Sequence, residues 1–227
     1  MDNKTAHAAA EYDSKVNVTI PNYEILHSEA LELVQTVNKS PETWLDTGCG
    51  TGTFVMKAIS LFPGTKFVLA DPSDSMLEIA GDKVSAVTQK NIEILEPVSS
   101  QDIALPEGTF DIVTAIQSHH YMNAETRAEA TRNCFRMLKS GGLYITFENI
   151  RPFTEKGTGI GLNRWKGFQI MGGKTIEEAQ KHVERFGKEF LPITISEHLT
   201  VLKNAGFKTV ELLYMAYMQA GFYAIKE

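Results

Sequence analysis

The chain has 227 residues, 43% of them apolar, which suits one α/β domain with a decoration. Its net charge of −6 is uneven: residues 1–150 carry 11 Lys and Arg against 20 Asp and Glu, whereas residues 151–190 carry 8 against 5. An acidic core repels phosphate backbones, and no apolar run reaches the length of a membrane-spanning helix, so general nucleic-acid binding and a membrane span are both disfavoured.

Residues 22–38 place Ile25, Leu26, Ala30, Leu33, Val34 and Val37 at helical spacing, which predicts a helix before the core, inside an N-terminal helical cover over residues 1–40. Thr43–Thr47 reads as the first strand. It ends in an acid, Asp46, and runs into Gly48-Cys49-Gly50-Thr51-Gly52, with a helix predicted from about Gly52 to Leu61. Glycines permit a tight turn with a ligand close against it, and the following helix turns free N–H groups toward that ligand. A dinucleotide loop needs G-x-G-x-x-G. Here the order is G-x-G-x-G, with Thr53 where the next glycine would stand.

After Pro63-Gly64, Lys66–Asp71 is an apolar run ending in an acid. At the tip of a second strand, Asp71 is placed to accept the hydroxyls of a cofactor ribose. The alternative is that Asp71 opens a turn with Pro72 before a helix over Ser73–Ala80 capped by Ser73. Met76 on that helix suits either the face of a bound ring or the core. Ile92–Leu95 is the third strand; Ser99 and Ser100 follow it, with Asp102, an acid in a turn ahead of Pro106, nearby. Phe110–Ala115 is the fourth strand, followed by Gln117-Ser118-His119-His120-Tyr121 at the mouth of the predicted site. His119, His120 and Tyr121 are the candidates for a base or substrate contact, with loop packing as the competing role for the histidines.

Asn123 caps a helix predicted over Glu125–Leu138, closed by Lys139-Ser140-Gly141-Gly142, and Leu143–Phe147 is the fifth strand. Residues 151–192 break the pattern as an insertion: a glycine-rich stretch, then a polar helix near Thr175–Phe190. A helix over Ser196–Asn204 precedes two strands, Lys208–Met215 and Gln219–Ile225, whose short link allows only antiparallel pairing. The prediction is a doubly wound, mostly parallel seven-stranded sheet with a C-terminal antiparallel hairpin and a helical insertion.

The order D-x-G-x-G-x-G at Asp46–Gly52, together with Asp71, Phe110-Asp111-Ile112-Val113 and Leu138–Gly142, resembles the Rossmann-like class I S-adenosylmethionine (SAM) dependent methyltransferases. Ile20-Pro21-Asn22-Tyr23, Asp102-Ile103-Ala104 and the run from Gly172 to Phe207 look most like the carboxy-SAM synthase and wobble-uridine tRNA group within it. The resemblance implies SAM as cofactor. It puts Gly48, Cys49 and Gly50 under the amino-acid end, Asp46 near the ammonium and Asp71 on the ribose. Pro72, Met76, Ser99 and Ser100 then surround the adenine, with Tyr23, beside Tyr12, and Gln117 toward the reacting end. In the synthase group an insertion-helix arginine pairs with the extra carboxylate of carboxy-SAM. Here His182 stands at that place, with Arg185 one turn later, and a neutral histidine lacks the two-pronged donor set of arginine.

The expected activity is therefore methyl transfer to a small molecule. A carboxy-SAM synthase-like or tRNA-modification-related enzyme and a non-catalytic SAM-binding module are the alternatives. No metal is expected, since no third ligand has suitable spacing. A homodimer is expected from the resemblance, and tRNA is not excluded as a partner. The polar start Met1-Asp2-Asn3-Lys4 and the two cysteines, Cys49 and Cys134, point to a reducing cytoplasm.

Overall fold

The computed structural model describes residues 7–87 and 91–227, so the polar stretch Met1–Lys4 lies outside it. Two helices precede the sheet: α1 (Ala9–Thr19) and α2 (Tyr23–Val37). The helical spacing of α2 buries Leu26, Ala30, Leu31 and Val34 against the sheet. The periodicity did not reveal α1, because only Val16 and Thr19 of its 11 residues are buried and it has no apolar face to read.

The sheet comprises β1 (Thr43–Thr47), β2 (Lys66–Ala70), β3 (Ile92–Ile94), β4 (Phe110–Ile116), β5 (Leu138–Asn149), β6 (Thr209–Ala216) and β7 (Gln219–Ile225), in the order β3-β2-β1-β4-β5-β7-β6. The first five strands pair in parallel and β7 is antiparallel to both neighbours. Parallel strands need helical crossovers. These are α3 (Thr53–Leu61), α4 (Asp74–Ser85), α5 (Ala124–Met137) and α8 (Ile195–Ala205), joined by the insertion helices α6 (Glu155–Met171) and α7 (Ile176–Val183). One core lies between the sheet and α2–α3, around Trp44, Phe54, Phe62 and Phe67. Another lies on the opposite face, around Phe110, Met137, Tyr144 and Phe222.

Several expected boundaries move. The α4 helix runs on to Ser85 rather than stopping at Ala80. Gly141 and Gly142 do not end α5; that helix ends at Met137, and the glycines lie inside an early-starting β5 where its register against β4 shifts. A Cβ on Gly142 would stand 2.9 Å from the Lys139 carbonyl oxygen, so the glycine serves a close backbone approach. Most of the glycine-rich part of the insertion is helical: Gly157, Gly159, Gly161 and Gly167 all lie in α6. Gly161 lets the helix pass Met218, whose Sδ would lie 2.3 Å from an added Cβ. The following helix stops at Val183, short of the expected Phe190.

Candidate active site

Strands β1 and β4 are neighbours, but their crossovers leave in opposite directions along the sheet, so a crevice opens beyond their carboxyl ends. A cavity of about 330 Å³ lies there. Its floor is the loop from Asp46 to Thr53. Gly48 has φ +126°, and a Cβ on it would lie 2.5 Å from the Ser118 Cβ. The Gly48 and Cys49 N–H groups both donate to the Ala70 carbonyl, at 2.7 and 3.0 Å, which ties the loop to the end of β2.

Asp71 stands one residue past β2 and lines the cavity. Its Oδ2 accepts from the Gly50 N–H at 3.0 Å and its Oδ1 from the Ser73 N–H at 2.9 Å. The Ser73 hydroxyl in turn accepts from the Met76 N–H as the cap of α4. Asp71 thus shapes the turn and lines the cavity. Burial pushes its carboxyl above the usual range, although the two backbone donors oppose the shift.

Asp46 is 1% exposed, on the last turn of β1. Trp44 Nε1 donates to Thr114 Oγ1 at 3.0 Å, and Thr114 Oγ1 donates to Asp46 Oδ1 at 2.7 Å. Burial raises the Asp46 carboxyl to about 7; the Thr114 bond opposes that rise and the nearby Asp71 adds to it. A cationic ligand group would supply the missing counter-charge.

The cavity brings together Tyr23, Asp46, Gly48, Cys49, Gly50, Asp71, Pro72, Met76, Ser99, Ser100, Gln117 and Tyr121. Ser100 lines the wall, but its hydroxyl donates to the Thr47 carbonyl at 3.1 Å. Asp102 does not line the cavity; its Oδ2 accepts from Gln101 Nε2 at 2.8 Å, and Gln101 takes the wall position instead. Gln117, with φ +56°, also borders a smaller cavity shared with Tyr12, His120, Tyr121, Trp165 and His182.

The two histidines part company. His119 turns away from both cavities at the strand ends and lies among Arg127, Tyr144, Glu148 and His198. Burial lowers its imidazole to about 4, so it is neutral near pH 7. Its expected place at the mouth of the site is thus corrected: a 3-10 turn over His119–Tyr121 rotates successive side chains apart. His120 borders the smaller cavity, and its Nδ1 lies 2.8 Å from Glu148 Oε2. Glu148 also accepts from the N–H groups of His119 and His120, at 3.1 and 2.8 Å, and from Thr146 Oγ1 at 2.7 Å. Burial opposes its ionisation, but the His120 bond and the charges around it hold the carboxyl down at about 2.

Sequence reasoning missed Glu148, although an acid closing the apolar run Leu143–Phe147 at a strand's carboxyl end was the available signal. It also missed Arg127. That guanidinium donates to the carbonyls of His119, Met122 and Leu191, at 3.2, 3.0 and 2.5 Å, and so joins α5, the turn and the insertion. His182 sits with its ring against Trp165, centroids 4.9 Å apart, and neither ring nitrogen has a partner. Burial first, then Lys174 and Arg185, lower it to about 3. Among the described residues no group of three or more His, Cys, Asp and Glu is arranged to hold a metal ion.

Residues 45–144, which span this loop, Asp71 and β4, match the family model described as a methyltransferase domain. Over those residues the chain carries a methyltransferase domain. It is similar to the carboxy-S-adenosyl-L-methionine synthase of Nautilia profundicola, at 23% identity over 96% of this chain and 92% of that one. It is also similar to the demethylmenaquinone methyltransferase of Symbiobacterium thermophilum, at 30% identity over 64% of this chain and 57% of the relative. In fold it is like a SAM-dependent methyltransferase from Aquifex aeolicus, with TM-score 0.65 and 17% identity over 96% of this chain and 98% of that one. The relatives are named for SAM chemistry, so SAM is the cofactor to set against the site.

The residues present fit that cofactor. An unfilled carboxyl raised by burial, Asp46, suits an ammonium, and an acid at the end of β2, Asp71, suits a ribose. SAM supplies an activated methyl on a sulfonium, so the protein's part is to place the acceptor and exclude water. Among the described residues no helix is long and apolar enough to cross a membrane.

Proposed function

We propose that this protein transfers the SAM methyl group to a small-molecule acceptor that enters beside Tyr12, Gln117 and Tyr121. The observation that carries this reading is that these three residues border both the large cavity and its smaller neighbour. A ligand filling the first would then meet a second ligand at that border. In this reading Asp46 pairs with the SAM ammonium, and Gly48, Cys49 and Gly50 run beneath the methionine end. Asp71 holds the ribose, while Pro72, Met76, Ser99 and the Ser100 backbone bound the adenine. Tyr23 and Tyr12 present aromatic faces to the sulfonium. His120, oriented by Glu148, is the candidate base and Tyr121 a substrate contact. His119 has a packing role.

The insertion, residues 151–192, acts as a lid. Its exposed Phe153, Ile160, Met171 and Ile176 favour a homodimer contact. The acidic core disfavours nucleic acid other than a specific tRNA, and the free thiols of Cys49 and Cys134 suit a reducing cytoplasm.

A second reading has one observation in its favour. Lys174 and Arg185, the latter paired with Glu189, stand near His182, which lines the smaller cavity. That suits the extra carboxylate of carboxy-SAM, as does the similarity to the synthase along nearly the whole chain. Native mass spectrometry of freshly purified protein separates the two. Carried SAM or S-adenosylhomocysteine (SAH) is the expected result; a mass greater by one carboxylate reverses the ranking. Turnover of SAM to SAH with a panel of phenols, amines, thiols and carboxylic acids separates an enzyme from a silent SAM-binding module.

A further inference from the structure

Helix α1 borders the cofactor cavity through Tyr12, which lines it together with Tyr23. A narrow face holds it there: Val16 and Thr19 are buried, and Tyr12 packs against the same core as Val16. Its carboxyl end is anchored to the insertion, where Trp165 Nε1 donates to the Thr19 carbonyl at 2.7 Å. Its middle is held by one acid. Asp13 Oδ1 accepts from Thr51 Oγ1 at 2.7 Å and from Thr53 Oγ1 at 2.8 Å, and its Oδ2 pairs with Lys83 of α4. Lys83 also donates to Thr53 Oγ1, at 2.8 Å.

Thr51 of the glycine loop and Thr53, the first residue of α3, line the cavity, and α4 begins three residues after Asp71, at Asp74. The glycine loop, α3 and α4 therefore converge on one carboxylate of a helix whose own buried face is narrow. Beyond α1 the chain turns at Asn22, a left-handed residue with φ +58°, into the firmly buried α2. The anchored end and this turn are where a lifting helix would pivot.

We propose that α1 is a lid over the bound cofactor, that Asp13 is the latch holding it to the glycine loop and α4, and that closing it brings Tyr12 to the reacting end. The inference rests on the cofactor site described above but on no particular acceptor. It assigns Asp13 a positioning role, because Asp13 acts through Thr51, Thr53 and Lys83. Bonds to an ionised acceptor are the strong kind, and the latch has three of them, so losing it should be visible in cofactor release.

The test uses the full chain with SAH as the probe. SAH release is followed by stopped flow with excess SAM as the chase, in wild type, Asp13→Ala, Asp13→Asn and Lys83→Met. Release should quicken about tenfold or more in Asp13→Ala. Asp13→Asn should fall between, because its amide oxygen still accepts the two hydroxyls, and Lys83→Met should match it. Hydrogen exchange over residues 9–19 should slow when SAH binds wild type and not when it binds Asp13→Ala. Asp13 is partly exposed, so the ligand-free melting temperature should barely move, which separates a latch from general stabilisation. If Asp13→Ala releases SAH at the wild-type rate and keeps the ligand-dependent protection of α1, the latch is wrong. If wild type fails to bind SAH at all, the cofactor site is wrong instead.

Discussion

Asp46 makes cofactor affinity a function of pH. Its folded-state value, raised by burial to about 7, lies above its ordinary value of 3.8. An acid raised on folding keeps its proton in the ligand-free fold while the unfolded chain has released it. The ligand-free protein should therefore lose stability as pH rises from 3.8 to about 7. The ligand ammonium reverses that penalty, but only once Asp46 is ionised. SAH affinity should thus weaken by up to about tenfold for each pH unit below 7, and fall again above about 8 as the ligand's own amino group loses its proton. Calorimetry at about pH 6, 7.5 and 9 should give the tightest binding near the middle value; Asp46→Asn should bind more weakly and lose the acid limb. A flat wild-type profile would rule out an Asp46–ammonium pair.

Gly48 permits a second residue-scale test. Gly48→Ala meets both a left-handed φ and the Ser118 Cβ, so it should cost roughly 2–4 kcal/mol and most of the cofactor affinity. Adding Ser118→Gly removes the contact but not the backbone strain, so the double variant should recover part of the loss. Full recovery in a thermal melt would show that the strain is negligible.

At the scale of elements, the insertion is less loose than its glycines suggest. Trp165 is 1% exposed and packs with Phe190 and Met218, while the Leu191 N–H donates to the His120 carbonyl at 2.6 Å. Trp165→Ala should cost about 3–5 kcal/mol and loosen α1 as well, since the indole bond to Thr19 goes with the ring. Arg127→Met should be nearly as harmful, because three backbone carbonyls lose a charged donor together. The readout that distinguishes this junction from ordinary core is hydrogen exchange. Both variants should expose residues 119–122 and 186–193 before the central strands open. Uniform deprotection of the whole sheet would contradict a local junction.

At the scale of the molecule, the insertion carries large apolar side chains outward, with Met171 80% and Ile176 70% exposed. Both flank the turn between α6 and α7, so one small patch combines them. A two-fold contact there should give twice the chain mass in light scattering, and Met171→Lys with Ile176→Glu should return it to the monomer mass without a loss of melting temperature. A monomer in wild type would leave that patch without the proposed contact. Neither residue lines the cofactor cavity, so SAH binding should survive the pair of substitutions.

Local chemistry carried much of this protein into view. The acid-glycine order at Asp46–Gly52 and Asp71 after an apolar run were legible because ligand loops at strand ends need those residues at that spacing. The alternation of short apolar strands with helices, and the tight link before Gln219, likewise dictated a parallel sheet with an antiparallel end. Other features were decided by groups far apart in the chain. Helix α1 buries only a narrow face, Tyr12, Val16 and Thr19, and is completed by Asp13 on Thr51, Thr53 and Lys83, so little of its reason to exist lies in its own window of sequence. Glycines that read as loose became helix in α6, because Gly161 is needed where Met218 passes. Which of two adjacent histidines faces a ligand depended on a 3-10 turn and on Glu148, 28 residues further on. Spacing determines what a segment is able to bind, whereas the direction of a side chain depends on partners that only the folded chain brings within reach.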